Sequence, residues 1–277
     1  MENPKVLYVS QEIKPYLPDS PIACLTRELP QAIIEAGCDV RTFMPRFGNV
    51  NERRNMLHEV IRLSGLNIII DDTDHPLIIK VASIPAARMQ IYFIDNDDFF
   101  ARKATITDPE TNAFFDDNDE RAIFFARGVL ETTRKLRWTP DIIHLHGWFT
   151  MMIPVYMKTL MKNDPTFKDC KIVVSLYDDA AEVTPNGESV FKWKNIKKKL
   201  WMQGVSERSL RRFKISDYHS LLKTAIDEAD GITICSQNPQ QSLVDYANEL
   251  GKPVLPYSGP LPDATAAYLD FYRKITE

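Results

Sequence analysis

A short apolar run, Val6-Leu-Tyr-Val9, then a turn, then an amphipathic stretch, sets what this chain can fold into. An unbroken run of β-branched and aromatic residues reads as a strand buried on both faces, as at the centre of a parallel sheet. Ile22 to Ala36 reads as a helix, with Ile22, Leu25, Leu29, Ile33 and Ala36 on one face. Strand, turn and helix in this order open a doubly wound α/β fold, whose first turn commonly holds a nucleotide phosphate against the helix N-terminus. A phosphate cradle needs glycines, so that backbone N–H groups can approach the oxygens. The turn Lys14-Pro-Tyr-Leu-Pro-Asp-Ser-Pro21 has none, and Pro15, Pro18 and Pro21 each remove a donor and stiffen it. The architecture is specified here; the phosphate chemistry is missing.

The remaining pattern extends that start. Gly37 stops the first helix, and Asp39 to Met44 reads as the second strand. Ile61-Arg-Leu63, Asn67 to Ile70, Leu77 to Ile84 and Met89 to Ile94 follow without intervening helices, which predicts an antiparallel excursion at the sheet edge around residues 61–94. Asp117 to Glu120 open a helix reaching about Leu136, their charges matching its dipole. Strands are expected at Ile142 to His146, Lys171 to Leu176 and Gly231 to Cys235, with an extended piece at Pro253 to Pro256. Helices are expected at Phe149 to Met161, Tyr218 to Ala229 (capped by Asp217), Asn238 to Leu250 and Asp263 to Ile275. Apolar strands alternating with helices predict one domain over 1–277, a doubly wound, mostly parallel, Rossmann-like sheet. Residues 182–214 break the pattern as a polar, basic, irregular flap. Within 192–214 stand nine Lys or Arg residues and one acid, Glu207, interleaved with Trp193 and Trp201.

Charge and cysteine usage exclude several function classes. A net charge of −4 gives no general reason for nucleic-acid or anionic-membrane binding, and no apolar run reaches membrane-span length. Met1 leads into a strand within a few residues, so no secretory leader is expected. Cys24, Cys38, Cys170 and Cys235 are scattered without CxxC spacing, which predicts reduced thiols in a cytoplasmic protein. No cofactor is called for.

The residues that could carry chemistry cluster at strand ends. His144 and His146 share one face of a strand, at the rim where α/β sheets bind ligands. His146 reads equally as a contact to a sugar hydroxyl and as a packed core residue, whereas His144 reads as hydrogen-bonded core. Trp148 is either a stacking wall or a packing anchor. No third ligand stands at metal-binding spacing, so no metal is expected. Glu12 follows the first strand and could contact a ligand, cap the helix or pair with Lys14. Asp95, Asp97, Asp98, Asp178 and Asp179 follow strands, where carboxylates bind hydroxyls or, more ordinarily, cap turns and face water. Asp117 and Arg121 stand four apart, the spacing of a helix ion pair. The basic stretch could grip an anionic partner, lay rings under sugars, or stand as a solvated flap.

Several motifs carry a family resemblance. They are Lys5-Val-Leu-Tyr-Val-Ser-Gln-Glu-Ile-Lys-Pro15, Leu29-Pro-Gln-Ala32, Gly37-Cys-Asp-Val-Arg41 and Met44-Pro-Arg-Phe-Gly48, with Asp117-Asn-Asp-Glu-Arg121 and Phe124-Phe125-Ala-Arg127. The most specific is Trp138-Thr-Pro-Asp-Ile-Ile-His-Leu-His-Gly-Trp148, followed by Pro154-Val-Tyr-Met-Lys158; Leu221-Leu-Lys-Thr-Ala-Ile226 and Ala229-Asp230 come later. In this order and at these spacings the chain, to about residue 250, resembles the N-terminal lobe of bacterial glycogen and starch synthases, retaining glucosyltransferases of two lobes. The resemblance implies that this lobe binds an α-glucan or maltooligosaccharide acceptor and part of the donor. Candidate substrate contacts are then Glu12, Asp117, Arg121, His146, Trp148, Tyr177 and Asp178. The chain departs from the family pattern at three places. The glycine donor loop, Lys-Thr-Gly-Gly, falls on Pro18, Asp19, Ser20 and Pro21; the Asp of His-x-His-Asp-Trp is Gly147; and a later His-Asn falls on Tyr177 and Asp178. With the C-terminal nucleotide-binding lobe outside this chain, the expectation is a lone lobe that acts through glucan binding or regulation and does not hold a nucleotide sugar. The alternative is an active glucosyltransferase completed by a separate C-terminal-lobe chain.

Overall fold

The structure, a computed structural model, describes residues 3–178 and 196–277. In chain order its elements are β1 (Val6–Ser10), α1 (Pro21–Glu35), β2 (Val40–Pro45), β3 (His58–Glu59), β4 (Leu66–Ile70), β5 (Thr73–Ile84), β6 (Met89–Asp95), α2 (Asp97–Phe100) and α3 (Asn118–Lys135). Then come β7 (Ile142–His146), α4 (Ile153–Met157), β8 (Lys171–Leu176), α5 (Ile196–Met202), α6 (Glu207–Leu210), α7 (Tyr218–Glu228), β9 (Gly231–Ile234), α8 (Gln241–Glu249), β10 (Val254–Leu255) and α9 (Thr265–Thr276).

The strands form one sheet in the order β10-β9-β8-β7-β1-β2-β6-β5-β3, with β4 paired to β5. From β10 to β6 every pairing is parallel; β5 runs antiparallel to β6, and β3 and β4 antiparallel to β5. The edge excursion is therefore β3 to β5, while β6 belongs to the parallel body beside β2. Residues 61–63 form a turn rather than a strand, with Ile61 83% exposed.

Alternation along the central strands builds two cores. Leu7, Val9, Ile143 and Leu145 belong to the larger one, with Phe124, Val129, Val155 and Leu222 of α3, α4 and α7. Val6, Tyr8 and Ile142 belong to the other, with Leu29 and Ile33 of α1 and Tyr268, Phe271 and Tyr272 of α9. Burying each such aliphatic or aromatic side chain contributes about 1.5–3 kcal/mol over leaving it exposed, so both layers hold β1 at the centre. Ala36 falls outside the buried face: α1 ends at Glu35, and Ala36, its C-cap, is exposed before Gly37 at φ +92°.

Two further expectations change. The helix expected over Phe149 to Met161 is a 3-10 turn, Trp148–Thr150, followed by the short α4. Pro154 has no N–H and sits in the first turn of α4, so a helix starts there instead of running through it. The basic flap is not irregular where described: α5 and α6 are helical, and Lys199 is buried against Asp119 at 2.9 Å and Glu120 at 2.7 Å. Residues 182–195 of that flap, with Trp193, and Asp179 lie outside the described residues.

Candidate functional site

Strand order fixes where a ligand crevice can form. From β1 the chain moves through α1 to β2 on one side, and after β6 it returns through α3 to β7 on the other. The order reverses between β1 and β7, and such a switch point opens a crevice beyond the C-terminal ends of the strands. Ser10 and His146, the last residues of β1 and β7, are in register there. Just beyond, Gln11 N donates to His146 O at 3.0 Å, which ties the two strand exits together.

Gly147 makes that closeness possible. Its backbone stands at φ 83° and ψ 150°, a region that side chains other than glycine's essentially do not adopt. A Cβ there would lie 2.9 Å from Gln11 Cβ and 3.3 Å from Ile22 Cδ1. Gln11 Oε1 instead accepts from Phe149 N at 3.3 Å. The aspartate that the resemblance places here does not fit this backbone.

Behind the crevice runs a buried polar seam. Tyr8 Oη and Tyr272 Oη are 2.8 Å apart, and Tyr272 Oη is 2.7 Å from His144 Nδ1. His144 Nε2 lies 2.8 Å from Ser175 Oγ and 3.1 Å from Thr233 Oγ1. Ser175 Oγ is 3.1 Å from His146 Nδ1, and Tyr177 Oη is 2.8 Å from the same nitrogen. His146 Nε2, fully buried, has no hydrogen-bond partner among the described residues. Burial pushes His146 down to about 3, and burial with the adjacent His146 holds His144 well below the ordinary histidine range. Both rings are neutral hydrogen-bonding groups at neutral pH. Trp148, 5% exposed, packs edge-on to Phe149 at 5.2 Å.

The proline turn is organised differently. Ser20 caps α1 by accepting from Ala23 N at 2.9 Å, and Ser20 Oγ donates to Glu12 Oε2. Glu12 Oε1 accepts from Gln11 Nε2 at 3.2 Å. Lys14 and Asp19 pair at 2.7 Å, and Pro18, Asp19 and Pro21 are exposed. The turn's Ser20 side chain thus engages both Glu12 and the Ala23 N–H in the first turn of the helix.

The remaining candidates are dispersed. Asp117 does not pair with Arg121; its two oxygens take the guanidinium of Arg102. Arg121 is instead fully buried, donating to Phe99 O and Asn118 Oδ1, each at 2.8 Å, and lying 5.4 Å from the rings of Phe47 and Phe115. Burial, with the nearby Arg102 charge, pulls it down to about 9, so it still carries its charge at neutral pH. Tyr177 joins His146, while Asp178 is exposed. Asp95 does not face water: it is 1% exposed, 2.8 Å from Arg46 and 3.0 Å from Lys80. Among the described residues no group of three or more His, Cys, Asp or Glu could hold a metal, and no helix is long and apolar enough to cross a membrane.

Ser175, Thr233 and Tyr272 were not legible as site residues. Ser175 and Thr233 are the polar interruptions of two apolar strands, the one signal that could have marked them.

Known proteins resemble this chain in sequence and fold. The sequence model of the starch synthase catalytic domain matches residues 5–253. The chain is 35% identical over 247 residues to a glycogen synthase of Chlorobium limicola, covering 89% of this chain and 48% of the relative. It is 33% identical over 243 residues to a glycogen synthase of Chlorobaculum tepidum, covering 88% and 48%. The catalytic domain of starch synthase IV from Arabidopsis thaliana, solved bound to ADP and acarbose, has the same fold, with TM-score 0.73 and 16% identity over 96% of this chain and 53% of that one. The chain spans about half the length of the curated relatives it matches most fully. With its sequence model matching nearly the whole chain, and relatives of that family about a third identical to it, this protein belongs to the starch synthase catalytic domain family.

Proposed function

We propose that this chain carries the glucan-binding half-site of a glycogen or starch synthase-like protein of α-glucan metabolism, and that it neither holds a sugar nucleotide through its first turn nor transfers glucose by itself. One observation carries the reading. At the switch point His146 keeps a neutral imidazole with Nε2 unpartnered, suited to a sugar hydroxyl, while the turn that would hold phosphate is closed on its own side chains. A buried polar atom without a partner costs about 1–3 kcal/mol, a cost a bound hydroxyl would relieve. Nε2 is covered, so the sugar reaches it once the covering side chains shift. Glu12 and Trp148 border the same crevice.

Calorimetric titration with maltooligosaccharides and, separately, ADP-glucose tests the reading. Maltooligosaccharide is expected to bind and ADP-glucose to give no heat. Binding of ADP-glucose at micromolar strength overturns the proposal, and silence toward both removes the glucan half. A second reading, favoured by the intact His146 seam, is a glucosyltransferase completed by a separate chain bearing the nucleotide-binding lobe. Glucose transfer on mixing with such a chain, in the absence of ADP-glucose binding by this one alone, would select it.

A further inference from the structure

The basic stretch has no part in the function proposed above, yet α5 is firmly seated. Ile196, Lys199 and Leu200 face inward, at 9%, 3% and 1% exposed. Just after α5, Gln203 donates to Ile69 O of β4 at 2.9 Å and accepts from Tyr156 Oη of α4 at 2.6 Å. Lys198 reaches Asp71 at the β4–β5 turn, at 2.9 Å. With its inner face fixed, the helical period turns Lys197, Lys198 and Trp201 outward. Trp201 is 57% exposed, so a large apolar ring stands in water on a rigid support.

Two grooves meet at that ring. One, of about 620 Å³, runs toward the tip of the β4–β5 hairpin, between Ile69, Met202, Asp72, Thr73 and Asp74. The other, of about 400 Å³, lies toward α6, between Leu210, Lys197, Lys198, Arg211 and Glu207. Ile69 is 45% exposed, so the apolar surface is a patch and not one stray side chain. The charges around it cancel: three cations, Lys197, Lys198 and Arg211, face three acids, Asp72, Asp74 and Glu207. A polyanion would meet Asp72 and Asp74 beside the ring, and a polycation would meet Lys197 and Arg211. A neutral chain of hydroxyls suits both sides. Carboxylates accept its O–H groups, ammonium and guanidinium donate to its oxygens, and the indole takes the C–H face of a sugar.

Strand register places these grooves. Asp95, the last residue of β6, pairs with Ile78, so Thr73 to Leu77 run on beyond the parallel strands, paired with β4. They project from the rim at which Ser10 and His146 end β1 and β7. In sheet order β5 stands three strands from β1, about 14 Å at ~4.8 Å per strand, so Trp201 borders a surface apart from the switch-point crevice. We propose that Trp201 is the platform of a second carbohydrate site, one that holds the side of an α-glucan chain and needs no chain end. The α-glucan rests on the function proposed above; a neutral polyhydroxyl ligand on this ring does not.

β-Cyclodextrin, a closed α-1,4-glucan without an end, is the probe, followed by calorimetry on the whole chain. It is expected to bind, Trp201→Ala to weaken it about tenfold, and Trp201→Phe to weaken it less. Circular dichroism checks that both variants fold. No heat from cyclodextrin, or equal binding by Trp201→Ala, overturns the proposal. Binding of polyglutamate instead, lost in Trp201→Ala, overturns it in favour of an acidic protein segment. Cyclodextrin binding that depends on Trp201, in a chain whose maltooligosaccharide binding is untouched by His146→Gln, upholds this site and refutes only the switch-point half-site.

Discussion

Two polar regions meet near the exit of β1, and they are built by opposite means. The seam behind His146 is buried and drawn from β1, β7, β8, β9 and α9, so that Tyr8 and Tyr272 touch across 264 positions of sequence. The proline turn is exposed, and its bonds stay local: Lys14 with Asp19, Ser20 with Glu12 and Ala23. The seam leaves one atom unpaired at the crevice, whereas the turn pairs its own groups. Buried polar groups with distant partners specify a site; exposed ones with near partners end a loop and cap a helix. On the function proposed above, this division is what lets the chain keep one half of a family's binding chemistry and lose the other.

The contrast can be broken first where burial is combined with full charge. Lys199 and Asp119 are 3% and 1% exposed. Lys199→Met leaves Asp119 buried without its cation, and urea denaturation should show a loss of about 3–5 kcal/mol. Loss of less than about 1 kcal/mol would mean that water reaches this contact in solution.

Acid comes next. Folded His146 stays neutral down to about 3, while the unfolded chain takes up a proton near 6.5. Between those values the unfolded state binds the extra proton, so stability is complete above 6.5 and falls as pH drops toward 3. The slope is about 1.4 kcal/mol per pH unit, with His144 acting in the same direction. Unfolding free energies from urea titrations between neutral pH and about pH 4.5 should fall by about 3 kcal/mol from His146, and less steeply in His146→Gln. Equal slopes in the two proteins would contradict a neutral buried His146.

Restoring the family's residue is the third test. Gly147→Asp forces a side chain onto φ 83°, against Gln11 Cβ. Thermal unfolding should report a loss of about 1–3 kcal/mol. An unchanged midpoint would mean that the β1 and β7 exits are not held as close as the Gln11 to His146 bond requires.

The smallest effects belong to the turn. Ser20→Ala removes the cap of α1 and should cost about 1 kcal/mol in chemical denaturation. Asp19→Ala breaks an exposed pair and should not move the midpoint measurably. A larger effect of Asp19→Ala than of Ser20→Ala would reverse the account of what organises the turn.

Much of this was legible in the sequence because the signals are local. The continuous run at Val6 marks the central strand, and Asp217 does cap α7, with Ser220 completing the box. His144 and His146 share a face because strand periodicity is two, and their rings stand 4.2 Å apart. What escaped depends on contacts between distant segments. Asp117 and Arg121 have the spacing of an ion pair, but Arg102 comes in to claim the carboxylate while Arg121 turns into a nest of phenylalanines. Lys199 looks like one cation of a solvated run until Asp119, 80 positions away, buries it. Tyr272 lies within the terminal helix expected over Asp263 to Ile275, and only the fold puts its hydroxyl against His144.

The most direct test of the central claim is a structure determined with maltooligosaccharide and ADP-glucose both present. The account predicts a sugar hydroxyl oxygen within hydrogen-bonding distance of His146 Nε2 and no phosphate at the first turn. A phosphate cradled between Leu17 and Ala23 would contradict it.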